Sequence, residues 1–290
     1  FTTEDGKWKT IRFNRTYEDP VVVGTTNTHN GESGIYFEVR DVQSNKATMR
    51  LCESEGGNND GCDSHVQETA GYVVVDAAST DNIPGIEAGT TSIGQGINTN
   101  TKTVSLGETF GSTPVVFTQV MSDNGTGEVE SWITSKSNSS FTAGICQQNS
   151  NDGCDSDHPQ EEVGWIAIEP GKEPFQESGE TKQLGSTYGG GSWASTTFSS
   201  SFSENPVGIF SVQDDSGGQD PKIDRIRNLG TGSMDMSFCE LETNNNCDGH
   251  ANMAFAYMAV EKGRLSYRGG SRPIYVDTSR GKALEFDGSD

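Results

Sequence analysis

Gly71-Tyr-Val-Val-Val-Asp76, Gly164-Trp-Ile-Ala-Ile-Glu169 and Ala256-Tyr-Met-Ala-Val-Glu261 are one short apolar segment written three times in a chain of 290 residues. Upstream of each copy, Pro20-Val-Val-Val23 recurs as Pro114-Val-Val-Phe117 and Pro206-Val-Gly-Ile209, at offsets of 94 and 92 residues. A glycine stands eleven residues beyond each proline, at Gly31, Gly125 and Gly217. The first cysteine of each copy, Cys52, Cys146 and Cys239, steps by 94 and 93 residues. Each second cysteine, Cys62, Cys154 and Cys247, is followed by an aspartate and then a histidine. Landmarks kept in one order at nearly one period are the mark of tandem duplication.

Within a copy the local pattern is β. Ile35, Phe37 and Val39 alternate with Tyr36, Glu38 and Arg40, the period of two expected for a half-buried strand. Val21–Val23 and Tyr72–Val75 are unbroken apolar runs and predict strands buried on both faces. Turn clusters such as His29-Asn-Gly31 and Asn124-Gly125 punctuate them. No window carries a capped helical stripe. The reading is an all-β chain of three tandem antiparallel β-sandwich modules of about six strands each. The units are 1–77, 78–171 and 172–263, the second and third beginning with joining segments whose Ile and Gly content predicts extra edge strands.

Six cysteines allow fifteen pairings, but the spacing favours three local ones, Cys52 with Cys62, Cys146 with Cys154 and Cys239 with Cys247. Each closes a short Gly/Asn/Asp-rich loop, worth about 2–3 kcal/mol on a chain-entropy model. Such staples place the chain in an oxidising compartment, secreted or at the cell surface. Its 42 acidic against 20 basic side chains leave a net charge of -22, and mean hydropathy is -0.62. This surface repels nucleic acid and anionic membranes, and suits solubility in a saline habitat. No run of apolar residues is long enough to cross a bilayer as a helix. Phe1 opens directly onto polar chain, which predicts a removed leader or an excerpt of something longer.

Each unit resembles the H-type lectin family. The resemblance rests on Trp8-Lys-Thr-Ile-Arg-Phe13, Pro20-Val-Val-Val23, Phe37-Glu-Val-Arg40, Met49-Arg-Leu-Cys52 and Gly71-Tyr-Val-Val-Val-Asp76. It implies six-stranded antiparallel sandwiches that associate in threes, with sugar pockets near the boundaries between them, and hence an intramolecular pseudo-trimer here. It also implies a sugar-contacting arginine on the third strand, which falls on Arg40 and Arg227, whereas unit two has Thr134. Histidine from the loop before the last strand falls on His65, His158 and His250. The tail, 264–290, ends in Gly281-Lys-Ala-Leu-Glu-Phe-Asp-Gly-Ser-Asp290, which looks like the opening strand of a concanavalin A-like or laminin G-like domain.

These residues define an expected site. Asp63 with His65, Asp155 with His158 and Asp248 with His250 pair a carboxylate with an imidazole, able to accept and donate to sugar hydroxyls. The same residues also read as Asx turns and packing beneath a disulfide. Trp132 offers a stacking face two residues before the missing arginine. Asp60, Asp63, Asp152 and Asp155 sit in oxygen-rich loops that could take calcium, although Asn/Asp/Gly is ordinary turn chemistry too. No nucleophile elbow, phosphate loop or zinc helix occurs, so binding rather than catalysis is expected. The function expected is carbohydrate binding in an extracellular adhesin, with glycans or glycoproteins as partners. The alternative is a spacer or filament repeat that associates through strand edges and the tail.

Overall fold

The computed structural model describes residues 7–31, 34–54, 62–63, 66–80, 84–94, 101–107, 110–125, 127, 129–147, 158–171, 177–183, 193–213, 222–241, 247–248, 253–262, 264–267, 274–278 and 284–285. Unit one comprises β1 (Lys9–Arg12), β2 (Pro20–Thr26), β3 (Ile35–Gln43), β4 (Lys46–Ser54), β5 (Cys62–Asp63) and β6 (Thr69–Asp76). A 3-10 turn at Ala77–Ser79 leads into β7 (Ile86–Ile93). Unit two comprises β8 (Thr101–Ser105), β9 (Val115–Val120), β10 (Val129–Lys136), β11 (Ser140–Gln147) and β12 (Glu161–Ile168), followed by β13 (Glu177–Gln183). Unit three comprises β14 (Ala194–Thr197), β15 (Val207–Val212), β16 (Lys222–Arg227), β17 (Ser233–Leu241), β18 (Cys247–Asp248) and β19 (Met253–Val260). The tail adds β20 (Arg264–Tyr267), β21 (Ile274–Thr278) and β22 (Leu284–Glu285).

Every unit is an antiparallel sandwich. Its outer sheet runs β1-β4-β3, β8-β11-β10 or β14-β17-β16, and its inner sheet runs β2-β6-β21, β9-β12-β7 or β15-β19-β13. The joining segments are therefore strands, as their composition predicts, and each lies along the last strand of the unit that follows it. Ile86 pairs with Ile168 through β7, and Glu177 with Ala259 through β13. Unit one receives the same strand from the other end of the chain, because Val276 of β21 pairs with Val75 of β6. Leu284 of β22 continues the pairing opposite Ala70. Two strands of the tail, β21 and β22, thus find their partner in unit one, and β20 pairs with β21.

The inner sheets are buried on both faces, and alternate residues serve different cores. Val22 and Val74 point into the core of unit one with Phe37, Met49 and Leu51. Equivalent cores in units two and three gather around Trp165 and Phe255. Val21, Val23, Val73 and Val75 point the other way, into a cluster shared with Val115, Phe117, Ile166, Ile168, Val207, Ile209, Met258 and Val260. That cluster draws on all three units, so the unbroken valine runs are explained by two-sided burial. Each fully buried Val, Ile or Phe there contributes about 1.5–3 kcal/mol.

One repeat position closes the arrangement into a cycle. Asn27, Met121 and Gln213 each stand seven residues after their unit's proline, and each clasps the same backbone position in a neighbour. Asn27 of unit one donates Nδ2–H to the Gly208 carbonyl at 2.6 Å and accepts the Gly208 amide at 3.1 Å. Gln213 of unit three donates to the Val116 carbonyl at 2.5 Å and accepts the Val116 amide at 2.9 Å. Met121 of unit two can only accept, taking the Val22 amide on Sδ at 3.3 Å. A single parallel bridge, Arg225 to Thr26, also joins unit three to unit one.

Cys52 and Cys146 are both in disulfides. The side chains of Cys62, Cys154, Cys239 and Cys247 lie outside the described residues. Backbone register sets Cys62 opposite Ser54 and Cys247 opposite Leu241, each two positions from the first cysteine of its own unit and so on its face.

Candidate functional site

The boundary between units one and two collects polar chemistry around Trp8, which immediately precedes β1. The Arg40 guanidinium lies 4.1 Å over the indole and that of Arg50 lies 4.4 Å from it. Such cation–π stacking contributes about 0.5–1 kcal/mol at partly exposed positions. Arg40 donates Nη1–H to Asp123 of unit two at 2.6 Å, while Arg50 pairs with Glu38. Burial raises the Glu38 carboxyl above its ordinary range, against the opposing pull of Arg50. Directly after Arg40, Asp41 adopts φ 51° and the register with β4 shifts. This left-handed residue bends the strand where Arg40 leaves the sheet.

Asp123 is aimed by a buried brace. Glu161 accepts from the Ser122 hydroxyl, from the Asn124 amide at 2.9 Å and from the Gly125 amide at 3.1 Å. Asn124 donates Nδ2–H to the Gln160 carbonyl at 2.8 Å, locking the turn from its other side. Arg40, Asp41, Ser122, Asp123, Asn124 and Glu162 line an open groove of about 520 Å3 here. Its size lies within the range of small-ligand sites.

Units three and one build the same device. Trp193 precedes β14, and the Arg227 guanidinium lies 4.0 Å over its ring. Asn228 after it has φ 50°, matching Asp41. In place of Asp123 stands His29 of unit one, whose ring is 5.1 Å from that of Trp193 and whose Nδ1 is 3.2 Å from Arg225 Nη1. Glu68 holds the His29 turn by the bonds Glu161 makes in unit two, accepting from Thr28 Oγ1 at 2.5 Å, the Asn30 amide at 2.5 Å and the Gly31 amide at 3.0 Å. Unit two lacks the pair: strand register puts Thr101 where Trp8 and Trp193 stand, and Thr134, expected at the arginine position, falls in the register shift between Ile133 and Ser135.

Arg40 and Arg227, expected at the site from sequence, are thus at equivalent unit boundaries. Two other expectations are corrected. Trp132 is 6% exposed, with its ring against Gly144 and Lys222 Nζ 5.8 Å from the ring centre, so it offers no open stacking face. His158 is 2% exposed, tucked beneath Gly125 with Nε2 3.3 Å from Glu161, and packs under the turn instead of facing solvent. Asp63 and Asp248 pair through their backbones with Glu53 and Glu240, and their side chains lie outside the described residues. His65, His250, Asp60, Asp152 and Asp155 also lie outside them. Among the described residues no group of His, Cys, Asp and Glu is placed to hold a metal ion.

Sequence reasoning missed the pairing of Trp8 with Arg40 and of Trp193 with Arg227, and the part played by Asp123 and His29. The signal was available: the tryptophan and the arginine are present together in units one and three and absent together from unit two, and the turn reads His-Asn-Gly or Asp-Asn-Gly at one repeat position. A separate polar pair, Glu130 and Asp224, lines a small cavity between the units with Thr26, Thr118 and Gln119. Desolvation holds both carboxyls well above the ordinary range, and repulsion from Asp224 and Glu38 adds to it at Glu130. Among the described residues Asp224 Oδ1 has no hydrogen-bond partner.

No family model matches the chain, and no solved structure matches it. Over 184 residues, covering 60% of the chain, it is 26% identical to halomucin of Haloquadratum walsbyi. The chain spans about 2% of halomucin's length.

Proposed function

We propose that this chain is a carbohydrate-binding, adhesin-type region of an extracellular or cell-surface protein of saline habitats, with its sugar sites at unit boundaries. The observation that carries the reading is the doubled stack, Trp8 with Arg40 and Trp193 with Arg227. A guanidinium held against an indole face is a rigid amphipathic platform. The ring offers apolar area to the C–H face of a pyranose, and the fork donates to its hydroxyls. Unit two folds into the same sandwich without either residue, so the scaffold does not require them. A feature that the fold can spare, yet that recurs intact at two boundaries, is better explained by a ligand.

The acidic surface and the similarity to a protein named halomucin support a surface setting in salt. Single shallow sites are weak, and two on one rigid body gain through effective concentration on repeated glycans. Binding without turnover is the reading, since the carboxylates braced at the two boundaries, Glu161 and Glu68, are spent on the backbone amides of their turns. Calcium, if taken, would sit in the cystine loops rather than at the stacks.

A glycan array probed with the whole chain, with calcium and with chelator, tests this. Binding is expected to survive Trp132→Phe and to be lost in the double variant Arg40→Ala, Arg227→Ala, with far-ultraviolet circular dichroism unchanged. Silence toward every glycan under both conditions overturns the proposal.

A further inference from the structure

We infer that the boundary between units three and one takes an anionic sugar residue, bearing carboxylate or sulfate, whereas the boundary between units one and two does not. The inference rests on the glycan-binding reading above and on comparing equivalent positions within one molecule. At the one–two boundary the tryptophan is surrounded by Arg40, Arg50, Glu38 and Asp123; at the three–one boundary the same positions hold Arg227, Ser237, Arg225 and His29. Two acids have become a guanidinium and an imidazole. The backbone device is kept, with a left-handed residue after the arginine (Asp41 or Asn228), an indole and a glutamate brace.

The charges at the three–one boundary are arranged to meet an anion. Arg225 is 8% exposed and directs Nη1–H at His29 Nδ1, so that nitrogen is the acceptor and the ring proton is on Nε2. Arg227 has a side chain 39% exposed and faces solvent across Trp193. Among the described residues two carboxylates lie nearby, and both are committed. Asp235 is 3.5 Å from Arg227 Nε but also accepts from Ser195 Oγ at 2.5 Å and Asn228 Nδ2 at 2.7 Å. Glu68 is spent on the backbone amides of the His29 turn. At the one–two boundary, by contrast, Arg40 is already bound by Asp123 at 2.6 Å, and an incoming anion would have to displace it.

The chain's net charge of -22 does not forbid this. Surface charges more than about 10 Å away are screened at 0.1 M salt, and beyond about 3 Å at 1 M. A guanidinium in direct two-bond contact with a carboxylate or sulfate is screened far less. Local geometry therefore outweighs the global field, and more so in brine.

Calorimetric titration of the whole chain with three oligosaccharides tests the inference: a glucuronate oligomer, a sulfated galactose oligomer and an uncharged galactose oligomer. At least one charged oligomer is expected to bind ten-fold or more tightly than the uncharged one. Arg227→Gln and His29→Asp should each abolish that preference, while Arg12→Gln, which removes an exposed charge from β1 of unit one, leaves it intact. Preference for glucuronate alone, or for sulfate alone, identifies the group recognised. Equal affinity for charged and uncharged oligomers, or a charge preference untouched by Arg227→Gln, overturns the inference and leaves glycan binding standing. No binding of any of the three, together with a silent array, removes both.

Discussion

At the residue scale, the clasp at Asn27, Met121 and Gln213 matters most for stability. Asn27→Ala would leave both the amide and the carbonyl of Gly208 buried without their partner. Its expected cost is about 1–3 kcal/mol, read from denaturant midpoints. Met121→Gln should act oppositely, giving Val22 the donor and acceptor that Val116 already enjoys, for a gain of about 1 kcal/mol. Glu130 and Asp224 govern a separate pH effect. Their carboxyls are raised in the folded chain, so between the ordinary carboxylate range and those raised values the folded state binds more protons than the unfolded state. Stability contributed by this pair therefore falls as pH climbs through that window. The double variant Glu130→Gln, Asp224→Asn should melt higher than the parent at pH 7, by about 2–4 °C for each kcal/mol recovered, and the difference should close toward pH 4. Sequence alone pointed to Arg40 and Arg227 through the resemblance to H-type lectins. It gave no hint that Trp132 is interior, and for His158 it left packing beneath a disulfide beside a sugar-facing role, because tryptophan and histidine are as much at home packed against a glycine as facing a ligand.

At the element scale, the inner strands were legible and their partners were not. Val21–Val23 and Tyr72–Val75 announce strands buried twice, and the structure supplies a separate core for each face. Nothing local, however, says that β7 and β13 run back along the strand of the unit ahead, since pairing is a property of the assembled sheet. The tail is the sharpest case. A resemblance in its last ten residues points to a following domain, while backbone register seats β21 and β22 on β6. These strands are short and reach β6 from far along the chain, so loop closure costs more than for β7. Hydrogen exchange should therefore find the amides of β6 less protected than those of β12 and β19. Asp277→Pro, opposite Val74, should widen that gap without loosening units two and three.

At the scale of the whole molecule, three units share one apolar centre to which each contributes several fully buried side chains. Opening any one unit would strip that cluster and expose the inner faces of the other two. Calorimetry should accordingly record one cooperative transition rather than three, with equal calorimetric and van't Hoff enthalpies. Separate transitions would mean that the shared centre contributes little. One further property follows from where the strands at either end are seated. Lys9 opens β1 and Glu285 closes β22, and both are anchored in unit one. Tension drawn between those two points runs through a single sandwich, and units two and three hang slack as a side loop. Only when β22 and then β21 peel from β6 would the pull reach them, releasing a long reserve of chain in the manner of a shock absorber.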